Sequence, residues 1–133
     1  MRMPSILVAL GLMAGVNAQS IYDASGSTIG RFDGKYYYDA SGTTLGRVED
    51  AYIYDAAGST LGRTDDKYVN DASGSTMGRI EDGKVYDRSG STLGRVDGNT
   101  VYDASGSTMG RVEGVPQRET ILFFFFFFRE AGK

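Results

Sequence analysis

Asp23, Asp39, Asp55, Asp71, Asp87 and Asp103 recur at a fixed spacing of 16 residues, and Arg31, Arg47, Arg63, Arg79, Arg95 and Arg111 follow at the same period. Carboxylates in such numbers invite a hydrolytic reading, in which two of them lie about 5–9.5 Å apart in a cleft and one is held protonated. A ring of guanidinium groups invites an anion site. Repetition weighs against catalysis, because catalysis needs one asymmetric site and these acids stand in every unit. The expectation is that each Asp caps a turn and each Arg pairs with an Asp across a hairpin. The acidic pairs Glu49-Asp50, Asp65-Asp66 and Glu81-Asp82 lack the alternating oxygen spacing of a calcium loop and read as solvated turns. With no Cys, His or Trp in 133 residues, disulfides, Cys/His zinc sites and Ser-His-Asp catalysis are excluded by composition. No catalytic residue, metal or cofactor is expected.

Tyrosines offer a different chemistry. Tyr22, Tyr38, Tyr54, Tyr86 and Tyr102 precede the repeated Asp, and only the fourth copy departs, with Asn70. Periodic aromatics in short strands usually pack against cross-strand neighbours. Tyr36, Tyr52 and Tyr68 are the candidate ligand-binding residues, as flat amphipathic rings on which a sugar or peptide stacks. The net charge of −3 argues against a partner bound through phosphate neutralisation, so no nucleic acid is expected.

The elements that position these residues follow from the repeat. Gly30, Gly46, Gly62, Gly78, Gly94 and Gly110 each stand directly before the repeated Arg. Asp103-Ala104-Ser105-Gly106 fits a type I turn ending in a left-handed Gly, hence a three-residue hairpin loop with a bulge. A second turn is expected at Asp97-Gly98, echoed by Asp33-Gly34 and Asp82-Gly83. Between turns lie short stretches rich in β-branched and aromatic residues. Around each Gly-Arg, the apolar residue before Gly shares parity with Arg, whereas the residue after Arg has the opposite parity. A flat strand cannot bury both, so the Gly marks a bend, a bulge or a close approach of another backbone.

Both ends are distinctive. Arg2, an apolar stretch from Ile6 to Val16 and the small-residue site Val16-Asn17-Ala18 read as a signal peptide, with cleavage near Ala18. The stretch is too short for a bilayer span. After the repeats, Ile121-Leu122 lead into Phe123, Phe124, Phe125, Phe126, Phe127 and Phe128. Exposing six Phe side chains forfeits roughly 9–18 kcal/mol, comparable to the whole net stability of a domain. The run must therefore be buried. As a strand it would show Phe on both faces and need cover on both, and the ring of repeats is the simplest container.

Recurrent Tyr-Asp-Ala-Ser-Gly-x-Thr-x-Gly-Arg units behind a signal peptide, closed by Val-Pro-x-Arg-Glu and a Phe run, resemble the bacterial secreted β-flower proteins, most nearly the five-fold β-flower family. The resemblance spans Ile21 to Phe128 and implies hairpins radiating as petals about an axis; it implies no activity. Five complete hairpins from Gly-Arg to Tyr-Asp fit five petals, and the first Tyr-Asp and last Gly-Arg are left as half-units to pair as a sixth. The sequence therefore predicts an all-β, single-domain chain over residues 19–133. Its repeats at 22–114 are arranged radially, with propeller- or barrel-like closure, around a Phe-rich strand within 115–133, and no helix is expected in the mature chain. The expected role is non-enzymatic: a periplasmic or secreted scaffold for an unknown polymer or protein of the cell envelope, or else a glycan-binding module.

Overall fold

The computed structural model describes residues 19–128, so the expected signal peptide lies outside the described residues. Each 16-residue unit becomes a pair of strands, and the twelve are β1 (Ser20–Asp23), β2 (Thr28–Phe32), β3 (Tyr36–Asp39), β4 (Thr44–Glu49), β5 (Tyr52–Asp55), β6 (Thr60–Thr64), β7 (Tyr68–Asp71), β8 (Thr76–Glu81), β9 (Lys84–Asp87), β10 (Thr92–Asp97), β11 (Thr100–Asp103) and β12 (Thr108–Glu113). They form one closed antiparallel barrel in which every strand pairs with its chain neighbours and β1 pairs with β12. That last ladder sets Asp23 opposite Gly110, the same register as Gly46 with Asp55 in the β4–β5 hairpin. The half-units at the two ends thus complete a sixth petal. Closure removes the exposed edges on which short strands aggregate.

Two kinds of turn alternate around the barrel. At one end Asp103 N–H donates to the Ser107 carbonyl (2.8 Å), Gly106 N–H donates to the Asp103 carbonyl (3.0 Å), and Gly106 has φ 92°, the expected bulged loop. At the other end the expected turn is kept at Asp82-Gly83, a two-residue tip between Glu81 and Lys84 with φ 52° and 82°, and shifts at the other two places. Asp97 is still in its strand, opposite Thr100, so the tip is Gly98-Asn99. Asp33 and Asp65 instead begin three-residue tips, their carboxylates accepting the amides of Lys35 and Tyr36, and of Lys67 and Tyr68.

The parity conflict around Gly-Arg is resolved by a bulge. Tyr37 faces Gly46 and Tyr38 faces Thr44, so Leu45 is the extra residue, and the same shift recurs in every unit. Past the bulge, one interior layer is built from six cross-strand pairs: Phe32 with Tyr37, Val48 with Ile53, Thr64 with Val69, Ile80 with Val85, Val96 with Val101 and Val112 with Ile21. All are buried.

The Phe run corrects two expectations, since it is neither a strand nor free of helix. A short helix α1 (Gln117–Ile121) leads into a π-helical turn, Leu122–Phe127, closed by the Phe128 N–H donating to the Phe123 carbonyl. A strand sends side chains to two faces only. Six rings must reach six hairpins, and the wide i→i+5 turn fans them outward. Phe123 lies on Gly30, Phe124 on Gly110, Phe125 on Gly94, Phe126 on Gly78, Phe127 on Gly62 and Phe128 on Gly46. The six rings thus make one circuit of the barrel, one glycine per ring. A Cβ at Gly62 would stand 2.9 Å from the Phe127 ring and overlap the Asn70 carbonyl oxygen, so only glycine allows both approaches. A helical circuit rises as it turns, so its first and last rings do not meet level. At that seam the layer carries Phe32 and Tyr37 instead of smaller residues, and the Tyr37 ring lies 4.6 Å from Phe128 and 6.0 Å from Phe123.

α1 is latched to the end of the barrel where the shifted tips lie. The buried Tyr37 hydroxyl donates to the Glu119 carbonyl (2.8 Å), and burial pushes this phenol well above its ordinary pKa, keeping it a neutral donor. Arg118 donates to the Asp50 carbonyl (3.0 Å) and grips the Glu119 carboxylate.

Two stability outcomes follow. Gly62→Ala is expected to cost about 3 kcal/mol or more by overpacking, and Tyr37→Phe about 1–2 kcal/mol by orphaning a buried carbonyl; urea unfolding of each variant checks both. A chain ending at Gly114 is expected to lose its far-UV β signal, and retention of a folded monomer would show that the barrel stands without its core.

Candidate functional site

The repeated Asp side chains do what the turn chemistry asks. Asp103 Oδ1 accepts the Ser105 and Ser107 amides, both at 3.0 Å, and the Ser105 hydroxyl at 2.7 Å. The same bonds recur at Asp23, Asp39, Asp71 and Asp87, while at Asp55 the hydroxyl is lost because Ala57 replaces Ser. The serine hydroxyl first, then the amides, hold Asp39, Asp71, Asp87 and Asp103 below the ordinary carboxylate range; Asp39 has the Ser41 hydroxyl first and Thr43 in the place of a second Ser.

The expected Asp–Arg pairing across hairpins is replaced by stacking. An Asp at a turn start has its oxygens drawn into the turn, whereas the Tyr before it faces outward beside the Arg of the neighbouring strand. Arg31 lies over Tyr38, Arg47 over Tyr54, Arg79 over Tyr86, Arg95 over Tyr102 and Arg111 over Tyr22, each 4.1–4.3 Å from the ring centre. Four of these also pair with the acid two residues on: Arg47 with Glu49, Arg79 with Glu81, Arg95 with Asp97 and Arg111 with Glu113.

Arg63 is the exception. Its cross-strand partner in β7 is Asn70, which has no ring, and the acid two residues on, Asp65, is engaged by its own tip, accepting Lys67 N–H at 2.8 Å and Tyr68 N–H at 2.7 Å. The amides of Tyr68 and Lys67, after a smaller opposing effect of burial and with Arg63 a lesser contributor, leave Asp65 below its usual pKa. Arg63 is exposed and faces Tyr52 of β5 on its other side. Tyr52 is 47% exposed and Tyr68 42%, the two large apolar side chains left most open among the described residues. Of the three candidate tyrosines, the structure thus brings Tyr52 and Tyr68 to either side of Arg63. It leaves Tyr36 half-buried, with the Lys35 ammonium 5.6 Å from its ring.

Other surface features are shallower. Between β9, β10 and the Asp103 turn lies a groove of about 200 Å³ lined by Tyr86, Arg95 and Asp103, and an open hollow of about 450 Å³ separates the Asp23 and Asp103 turns. Among the described residues no cluster of three or more acidic, His or Cys side chains is placed to hold a metal, and no helix is long and apolar enough to cross a membrane.

The Arg–Tyr stacks were missed by the sequence reasoning, although Tyr and Arg stand at constant offsets. The signal for Arg63 was visible, because Asn70 is the single departure from the repeated Tyr.

A closed ring of six hairpins filled by a turn of phenylalanines defines a β-flower repeat protein. The model of the 5-fold beta-flower protein family matches residues 18–128, and the chain belongs to that family. It builds six petals where the family description counts five. No curated protein and no solved structure is significantly similar to the chain.

Carboxyls held below their usual pKa contribute stability that is complete above the unfolded value of 3.8 and lost as pH falls through the lowered folded values. Thermal midpoints are expected to be insensitive to these groups above about pH 5 and to fall steeply below about pH 4; a melt series from pH 7 to pH 2 checks this. Asn70→Tyr, which restores the repeat, is expected to stabilise by about 0.5–1 kcal/mol through an Arg63–Tyr stack, read as a raised Tm.

Proposed function

We propose that the protein is an exported, non-enzymatic scaffold that holds a polymer or protein of the cell envelope on the outer face of its hairpins. The carrying observation is where the six units differ. Their inner layers are filled throughout, with the departures there taken up by the core, and the repeated acids are committed to turns in every unit. Outward, at the position opposite Arg on the preceding side, three successive hairpins present Tyr36, Tyr52 and Tyr68, and the others present Lys84, Thr100 and Ser20. One side of a near-symmetric ring is thereby aromatic, which suits a surface that recognises rather than one that transforms. Export rests on the signal-peptide reading of residues 1–18.

The glycan-binding reading is favoured by the exposure of Tyr52 and Tyr68, since open rings flanked by polar donors are what a sugar face stacks on. Affinity electrophoresis of the chain from residue 19 through gels containing cell-wall polysaccharides tests it. Retardation is expected, and Tyr52→Ala or Tyr68→Ala is expected to weaken it about tenfold, the loss of one stacking contact. Retardation unchanged in both variants would remove the glycan reading and leave a protein partner.

A further inference from the structure

We propose that Arg63, Asn70, Tyr52 and Tyr68 form a subsite for a carboxylate-bearing sugar within an acidic polysaccharide of the polyuronate kind. The inference rests on the glycan reading above and adds the charge class of the ligand and the residue that reads it.

The molecule supplies its own comparison. Each of the other five repeat arginines has its guanidinium over a tyrosine ring, and four of those five also hold an acid. Arg63 is released from both by two separate changes, Asn70 in place of the ring and a tip geometry that turns Asp65 into its own backbone. The planar fork of an exposed guanidinium is matched to a carboxylate, which it engages through two parallel hydrogen bonds.

What surrounds the fork suits a sugar. Tyr52 is directly opposite Arg63 on β5, Asn70 directly opposite on β7, and Tyr68 on the diagonal next to Asn70. Tyr52 and Tyr68 therefore stand two strand spacings apart and two residues out of register, about 12 Å, the reach of two to three linked sugars, with Arg63 on the strand between them. The Asn70 side chain offers both a donor and an acceptor to hydroxyls; its Oδ1 accepts the Thr76 hydroxyl at 3.2 Å, a bond that does not use the amide donors. Of the acids around the patch, Asp65 is bound into its tip by the Lys67 and Tyr68 amides, Asp66 stands exposed in the same tip, and the flanking glutamates are engaged. Glu49, opposite Tyr52, is held by Lys35 at 3.3 Å and by Arg47, and Glu81 is paired with Arg79. The Lys67 ammonium, 5.5 Å from the Tyr68 ring, adds positive charge at the same place on a chain whose net charge is −3.

Titration with polygalacturonate, its methyl-esterified form, dextran and dextran sulfate tests this. The acidic polymer is expected to bind, with Arg63→Gln weakening it about tenfold, the loss of a charge-assisted contact. Asn70→Tyr is expected to weaken it similarly while keeping or raising Tm, because the restored ring recaptures the guanidinium; that variant separates loss of the subsite from loss of the fold. Equal binding of the esterified polymer or of dextran sulfate, or an Arg63→Gln variant that binds undiminished, overturns the carboxylate assignment. If Tyr52-dependent binding to dextran persists in that case, the glycan reading stands without the subsite. Absence of binding to all four polymers overturns both.

Discussion

Six phenyl rings lying on six glycines is the contact on which the rest of the structure depends. Short strands of four to six residues bury little by themselves, and a ring of twelve such strands leaves a hollow that must be filled. The Phe run fills it with one ring per hairpin. Each Gly is needed because a Cβ there would strike a cross-strand carbonyl, and at all but Gly30 it would press on a ring as well. The number of rings and the number of hairpins are thus tied together, and the period of 16 residues is the length that returns the chain to the next glycine.

A helical core inside a near-symmetric shell cannot match it everywhere. The circuit begins on Gly30 and ends on Gly46, on adjacent hairpins but unequally seated, the Phe123 ring 3.6 Å and the Phe128 ring 2.8 Å from where a Cβ would stand. The shell answers at that place alone with Phe32 and Tyr37, and the Tyr37 hydroxyl ties the seam to α1. Phe32 and Tyr37 therefore depart from the repeat for a packing cause, and the buried Thr64 for a hydrogen-bonding one, its hydroxyl donating to the Asp65 and Tyr68 carbonyls. Departures on the outside have neither, since the side chains of Asn70 and the exposed tyrosines face away from the core. This contrast is what makes the outer patch around Arg63 the place to look for recognition.

Charge is distributed by the same geometry. Aspartates at turn starts are taken up by backbone amides, so arginines that look destined for them find aromatic faces instead. Stacking on tyrosine half-covers the planar guanidinium without a buried ion pair, whose desolvation would be costly. Where the ring is missing the guanidinium is left to solvent, and a single substitution turns a structural contact into an available one.

Much of this was legible in the residues. The period, the Asp-x-x-Gly loops, the strands and the need to bury six phenylalanines follow from local rules, because turn geometry and the cost of exposed apolar surface depend on nearby atoms alone. Tyr52 and Tyr68 could be named as candidates for the same reason. The helical form of the Phe run, the register in which β1 meets β12 and the partners of the arginines were beyond reach. Each depends on contacts between residues far apart in the chain: a run of phenylalanines is compatible with strand or helix until six glycines around it dictate where the rings go. The sequence by itself determined the unit and its turns; only the tertiary structure decided how the ring closes, what shape its core takes and which arginine is left unstacked, because those outcomes are set by the space the closed barrel leaves and not by any local preference.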